Sequence, residues 1–225
     1  MARILVACEF SGVVREAFRR HGHDAWSCDL LPTEIPGPHI QGSVLNHLSD
    51  GWDLMIAHPP CTFLTNAGVR WLYKNGRGSV RDPERWEGMQ KGAEFFLALA
   101  NAPVRRKCLE NPIMHSYARE IAGMSPTQTI QPWMFGHAET KATCLYLFDL
   151  PLLVPTDIVQ PDYDKFPRRV QKQMADGEVK QGRSGNGYAP RVHYESPGPE
   201  RWKNRSRTLP GIADAMAAQW GKLLL

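Results

Sequence analysis

The chain has no Cys-x-x-Cys pair, no internal repeat and no apolar run approaching the roughly twenty residues that a membrane-crossing helix needs. Its five cysteines, Cys8, Cys28, Cys61, Cys108 and Cys144, are odd in number and widely spaced. That pattern fits reduced thiols better than a disulfide framework or a zinc site. Of the eight histidines, His21 and His23 stand close together without a partner pair at ligand spacing, so no metal is expected. Met1-Ala2-Arg3-Ile4 does not open a signal peptide, because charge returns at Glu9 and Arg15. The expectation is a soluble, cytoplasmic chain with no membrane partner. At 225 residues it suits one domain with a sizeable core.

Net charge is also scarce, at +4, but it is unevenly placed. From Thr156 to Arg207 there are eleven Lys/Arg against seven Asp/Glu, so the whole excess falls in that segment. Gly, Pro and aromatic residues are interleaved with the charges, in Phe166-Pro167-Arg168-Arg169, Gly182 to Tyr188, and Arg201-Trp202-Lys203-Asn204-Arg205-Ser206-Arg207. Such a segment suits a polyanion whose phosphates take the charges while bases stack on rings. A solvated loop is the plainer alternative.

What the sequence does have is a cysteine in a stiffened turn. Trp52 to Ala57 is a short apolar run, ended by His58-Pro59-Pro60-Cys61-Thr62. The run reads as a buried parallel strand, and the turn after it lies at the carboxyl end, where open α/β sheets hold ligands. The prolines limit the freedom of the thiol before any attack. A small buried cysteine capping a strand is the structural alternative.

The rest of the chain reads as α/β. Arg3 to Cys8 is a strand, the turn Glu9-Phe10-Ser11-Gly12 follows, and Val13 to His21 has helical apolar spacing. Asp24 to Cys28 is a second strand closed by Asp29, which lies where nucleotide-binding folds place a ribose-binding carboxylate; a polar strand cap is the alternative. Gly42 to Leu45 is expected at an edge, Glu87 to Asn101 as a helix, and Arg105 to Leu109 as a strand ending at Glu110-Asn111-Pro112. Gln128 to Phe135 and Cys144 to Phe148 read as the last strands, and Gly211 to Trp220 as a closing helix with Pro210 before its first turn. The expected organisation is a core over 1–155, a basic loop-rich segment for DNA contact over 156–209, and a C-terminal helix over 210–225 packed on the core.

Enzymes that methylate an exocyclic amino nitrogen carry Asn/Asp-Pro-Pro-aromatic; here the position after Pro59-Pro60 is a thiol. A ring carbon as target needs that thiol, because carbon 5 of cytosine becomes nucleophilic once something adds to carbon 6. An acid hydrogen-bonded to ring nitrogen 3 eases the addition, and Glu110 is the candidate; a strand-end carboxylate with only local bonds is the alternative. With these residues in this order, the chain resembles the DNA cytosine-5 methyltransferases, in particular short phage-type members. The resemblance runs with gaps from Arg3 to about Phe148 and resumes at Pro210.

The resemblance implies a Rossmann-like S-adenosylmethionine-dependent methyltransferase fold, a mostly parallel sheet with helices on both faces. Phe10, Ser11 and Gly12 would form the S-adenosylmethionine loop, Asp29 the ribose contact and Ser43 the adenine-facing position. Pro59 would lie in the nucleophile loop against the cofactor, with Cys61 as nucleophile and Glu110 as the acid of a Glu-Asn signature. Lys141 and Thr143 would stand where the family has two arginines that hold the flipped cytosine, with Arg168, Arg169, Arg205 and Arg207 as further substrate contacts. The first turn has one glycine where the family has several, and about fifty residues remain for target recognition. The implied enzyme is a monomer with short or relaxed sequence specificity, acting on DNA in the cytoplasm of a bacterium or phage-infected host. Two other readings stay open: a nucleotide-level pyrimidine modifier using the same thiol, and a catalytically degenerate DNA-binding relative.

Overall fold

Alternate residues of the central strands go to opposite helix layers. In the computed structural model, which describes residues 1–76, 78–159 and 197–224, Ile4 and Val6 of β1 (Arg3–Ala7) join Leu54 and Ile56 of β4 (Leu54–Ala57) in one core. That core is closed by Val14 and Phe18 of α1 (Val13–Arg20) and by Ile212, Met216 and Trp220 of α5 (Pro210–Trp220). Leu5, Ala7, Met55 and Ala57 belong to the other core, with Met89 and Phe96 of α2 (Pro83–Ala100) and Ala118 of α3 (Ser116–Ala122). A strand covered on both faces needs apolar residues at every position, which is why Leu54-Met55-Ile56-Ala57 shows no polar alternation.

The remaining elements are β2 (Asp24–Asp29), β3 (His39–Gln41), β5 (Arg106–Pro112), β6 (Gln128–Ile130), β7 (Thr143–Phe148) and α4 (Arg201–Ser206). One seven-stranded sheet has the order β3-β2-β1-β4-β5-β7-β6. β1 to β5 are parallel, and β7 is antiparallel to both neighbours. The expected Rossmann-like α/β architecture, mostly parallel with helices on both faces, is what the structure shows. No helix among the described residues is long and apolar enough to cross a membrane.

Several elements differ from the sequence expectation, each for a local reason. α2 starts at Pro83 because the Asp82 carboxylate accepts a hydrogen bond from Arg85 N–H at 3.2 Å and Pro83 suits a first turn. The edge strand is His39–Gln41, and Val44–Asn46 is a single 3₁₀ turn; Gly42 N–H still reaches the Asp29 carbonyl at 2.8 Å before the chain leaves the edge. β6 stops at Ile130 because Pro132 cannot donate to a ladder, and Pro132–Met134 turns instead. α3 was not expected, nor was α4, which lies inside the segment read as loops.

Two features of the chain path create a site. The chain runs outward from β1 to β3 and returns to β4 on the other side of β1, so the carboxyl ends of β1 and β4 flank a switch-point crevice. The reversal of β7 then sets its first residue, Thr143, opposite Pro112 at the carboxyl end of β5.

α5 is placed by a close backbone approach. Gly211 N–H donates to His137 Nε2 at 3.0 Å, and a Cβ at Gly211 would collide with the Phe135 carbonyl oxygen. Alanine normally favours a helix over glycine by roughly 0.5–1 kcal/mol. Gly211→Ala is expected to reverse that sign and destabilise the chain by about 1–3 kcal/mol, read as a lower urea midpoint at unchanged slope.

Candidate active site

At the end of β1 the backbone turns sharply: Cys8 adopts φ 58°, rare for a residue with a side chain and typical of functional turns. The turn buries Glu9. Its carboxylate accepts from Val14 N–H at 2.7 Å, Arg15 N–H at 3.1 Å and the Ser11 hydroxyl at 3.2 Å, so an acid five residues upstream caps α1. Burial pushes the Glu9 carboxyl up, against the lowering by nearby His58 and by these donors. Gly12, at φ 77°, lets the chain enter the helix. Arg15 is fully buried and donates to Ser27 Oγ, Thr33 Oγ1 and the Ile35 carbonyl, which fixes the loop after β2.

Around this turn lie the residues expected to hold a cofactor. Phe10 is buried, and its ring centroid is 5.9 Å from that of Trp202 on α4. Asp29, at the carboxyl end of β2, accepts Leu31 N–H through Oδ1 at 2.9 Å and stays partly exposed, so it serves as a strand cap while remaining reachable. Ser43 precedes the Val44–Asn46 turn without capping it by its side chain. Pro59 is buried beside the second turn.

The second turn follows β4. His58 N–H donates to the Ala7 carbonyl at 2.9 Å, which ties it to the end of β1, and Leu64 N–H closes the next turn on the Cys61 carbonyl at 3.0 Å. Cys61 is partly exposed. Burial and the Glu110 charge push its thiol up, while Lys141, a bond from its own N–H, and Arg205 pull it down; the net direction is up. Burial also pushes the Glu110 carboxyl up, but the His58 hydrogen bond, Lys141 and the His58 charge outweigh it, and the net direction is down. At neutral pH the free site therefore holds a protonated thiol beside an ionised carboxylate.

Residues distant in sequence thus converge: Cys61 from the β4 turn, Glu110 from β5, Lys141 before β7 and Arg205 from α4. Thr143 does not join them as an open contact; it is buried and its hydroxyl donates to the Lys141 carbonyl at 3.0 Å. Arg207 sits on Glu34, with contacts of 3.0 and 2.6 Å, and holds that carboxyl below its ordinary range. Arg168 and Arg169 lie outside the described residues. Two residues missed from sequence are Glu9 and His58. His58 was visible only as the residue before the Pro-Pro-Cys turn, and Glu9 only as an acid at a strand end.

No protein-family profile and no curated protein matches the chain. Among solved structures it is similar to a protein described as a prophage-encoded DNA modification methyltransferase of E. coli, with 13% identity and a TM-score of 0.47. It is also similar to the Entamoeba histolytica methyltransferase EhMeth, with 11% identity and a TM-score of 0.47. The matches cover 72% and 74% of this chain but only 53% and 60% of those two, so the chain spans little more than half of their length. What the site does rests on its own residues.

The charge arrangement around Cys61 predicts how it reacts. With the thiol held up, alkylation by iodoacetamide is expected to rise about tenfold per pH unit between pH 7 and 9, following the thiolate fraction. Glu110→Gln, which removes a raising charge, is expected to speed alkylation at fixed pH, and Lys141→Gln to slow it. Peptide mapping of Cys61 checks both, and equal rates in all three proteins would separate these charges from the thiol.

Proposed function

We propose that the chain transfers a methyl group from S-adenosylmethionine to carbon 5 of cytosine in DNA through a covalent bond to Cys61. The observation that carries this reading is the convergence of Cys61, Glu110, Lys141 and Arg205 beside a switch-point crevice. A thiol that must add to a ring carbon, an acid that must meet ring nitrogen 3 and cations for a phosphate are all needed at one place.

The residues fit S-adenosylmethionine chemically. Partly exposed Asp29 suits ribose hydroxyls, and the Phe10 to Gly12 turn lies across the crevice from Cys61 in the sheet order. Phe10, Asp29, Ser43 and Pro59 would hold it, and when bound it supplies an electrophilic methyl group. Gly12 is required by the turn itself, because at φ 77° a Cβ there would meet the buried Arg15 guanidinium.

The proposed adduct step starts from the thiol and the carboxylate and moves protons between them and the base. As Cys61 Sγ bonds to carbon 6, the thiol gives its proton to the Glu110 carboxylate, which passes a proton to ring nitrogen 3; no net charge is created. Carbon 5 then carries the electron pair that takes the methyl group. Loss of the carbon 5 proton to solvent breaks the sulfur–carbon bond, and the nitrogen 3 proton returns to sulfur. Lys141 and Arg205 favour the thiolate during this cycle because both lower the thiol. The proposed organisation keeps residues 1–155 as the catalytic core, with 156–209 for DNA contact and α5 completing the core.

The described end of the basic segment, from residue 197 on, supports a second reading. Arg207 is engaged by Glu34 and Trp202 by Phe10, so part of the cationic surface faces the chain itself. A free pyrimidine monophosphate needs fewer cations than duplex DNA. Labelled methyl transfer to duplex DNA, set against deoxycytidine monophosphate, separates the two.

DNA carrying 5-fluorocytosine cannot lose its substituent as a proton, so with S-adenosylmethionine it is expected to trap the protein at Cys61. Cys61→Ala is expected to bind DNA and cofactor yet lose transfer and trapping by several orders of magnitude. An adduct mapped to Cys8, Cys28, Cys108 or Cys144, or a methylating alanine variant, overturns the reading. Independently, Asp29→Ala is expected to weaken S-adenosylmethionine binding by about 1–3 kcal/mol, measured by calorimetry; unchanged affinity removes Asp29 from the site.

A further inference from the structure

We propose that His58 is the positioning residue of this site: its imidazole holds one oxygen of Glu110 so that the other is presented to the substrate base. The inference rests on the reading above for the identity of the base, and on geometry for the pairing. His58 Nδ1 lies 3.4 Å from Glu110 Oε2 across the β4–β5 step, with the His58 side chain 8% exposed. The distance is long, as catalytic hydrogen bonds in substrate-free sites often are.

Backbone bonding fixes His58 on one side: its N–H is held by the Ala7 carbonyl, and Pro59 and Pro60 restrict the chain that follows. Its Nε2 is buried and has no hydrogen-bond partner among the described residues. A buried imidazole with one nitrogen on a carboxylate and the other unmet is not explained by packing alone, since buried polar atoms are normally paired. The arrangement suits a ring whose orientation serves Glu110.

The charges that face this pair come from every neighbouring element. Glu9 lies near His58 from the turn after β1, and Lys141 faces Glu110 from the segment before β7. Cys61, Cys108 and Cys144 all feel the Glu110 charge, and Arg205 acts on Cys61 from α4. Of the groups that lower Glu110, His58 alone acts through a hydrogen bond; Lys141 acts by charge. Removing His58 therefore leaves a largely buried carboxylate with the Lys141 charge to support it, and the carboxyl should titrate at higher pH.

The test uses the full chain with ¹³C-labelled glutamate carboxyls, Glu110 being assigned by its loss in Glu110→Gln. In His58→Leu the Glu110 titration is expected to move to higher pH. In His58→Asn, which keeps a donor near the position of Nδ1 but no charge, it is expected to move less. If the leucine variant does not fold, the asparagine variant alone carries the comparison. A Glu110 titration that stays in place in a folded His58 variant overturns the proposal. The second arm measures 5-fluorocytosine trapping at saturating DNA and S-adenosylmethionine. The trapping rate is expected to fall about 10- to 100-fold in His58→Leu, as for a misplaced catalytic group, with partial rescue in His58→Asn and cofactor affinity unchanged. An unchanged rate overturns the positioning role. A wild-type chain that forms no adduct overturns the methyl-transfer reading instead, and the carboxyl titration then decides the His58 pairing by itself.

Discussion

Two carboxylates, Glu9 and Glu110, are taken out of water at the carboxyl end of one sheet, and much of the surrounding structure compensates them. Burying an unpaired charge is prohibitive, so each needs partners aimed at it. The outcomes differ. At Glu9 the donors are two backbone N–H groups and a hydroxyl, with His58 nearby, and burial still prevails. At Glu110 a hydrogen-bonded imidazole and a lysine prevail over burial, and the group stays charged. Glu9 has a structural task, capping α1 and ordering the first turn, whereas Glu110 is left as an anion whose charge reaches the Cys61 thiol.

His58 lies between these two tasks. It is tied by its backbone to the end of β1, by its ring to β5, and by the following prolines to the cysteine turn. The turn after β1, the Cys61 turn and Glu110 are thereby linked through adjacent parallel strands, which are stiff because both faces are packed. Preorganisation of this kind is what the proposed covalent addition would require, since small displacements of an attacking atom are costly.

The antiparallel β7 supplies a second constraint. Had that strand run with the others, its amino end would lie at the opposite edge of the sheet, far from Glu110. Reversed, it delivers the segment containing Lys141 to the site and buries Thr143 at the Pro112 position. α4 packs on the first part of the chain, with Trp202 against Phe10 and Arg207 on Glu34, and the Arg205 charge acts on Cys61. One short helix thus contacts the first turn and acts electrostatically on Cys61.

Much of this was legible in the residues themselves. Both-face burial leaves unbroken apolar runs such as Leu54 to Ala57, and proline and glycine punctuate the turns, so the alternation of strands and helices, the Cys61 turn and the strand-end Glu110 could be read directly. Local chemistry determines those features. Boundaries that depend on a cap, such as Asp82 before α2, or on a short helix such as α3, were harder, because side-chain geometry and packing decide them. The charge states and the partners at the site belong to the tertiary structure. Nothing near Cys61 in the chain announces that Glu110, Lys141 and Arg205 will face it, or that His58 will meet Glu110 rather than solvent. Those encounters depend on strand order and on the direction of β7, and the shift of a titrating group depends on burial and on charges a few ångströms away, which the sequence places tens of residues apart.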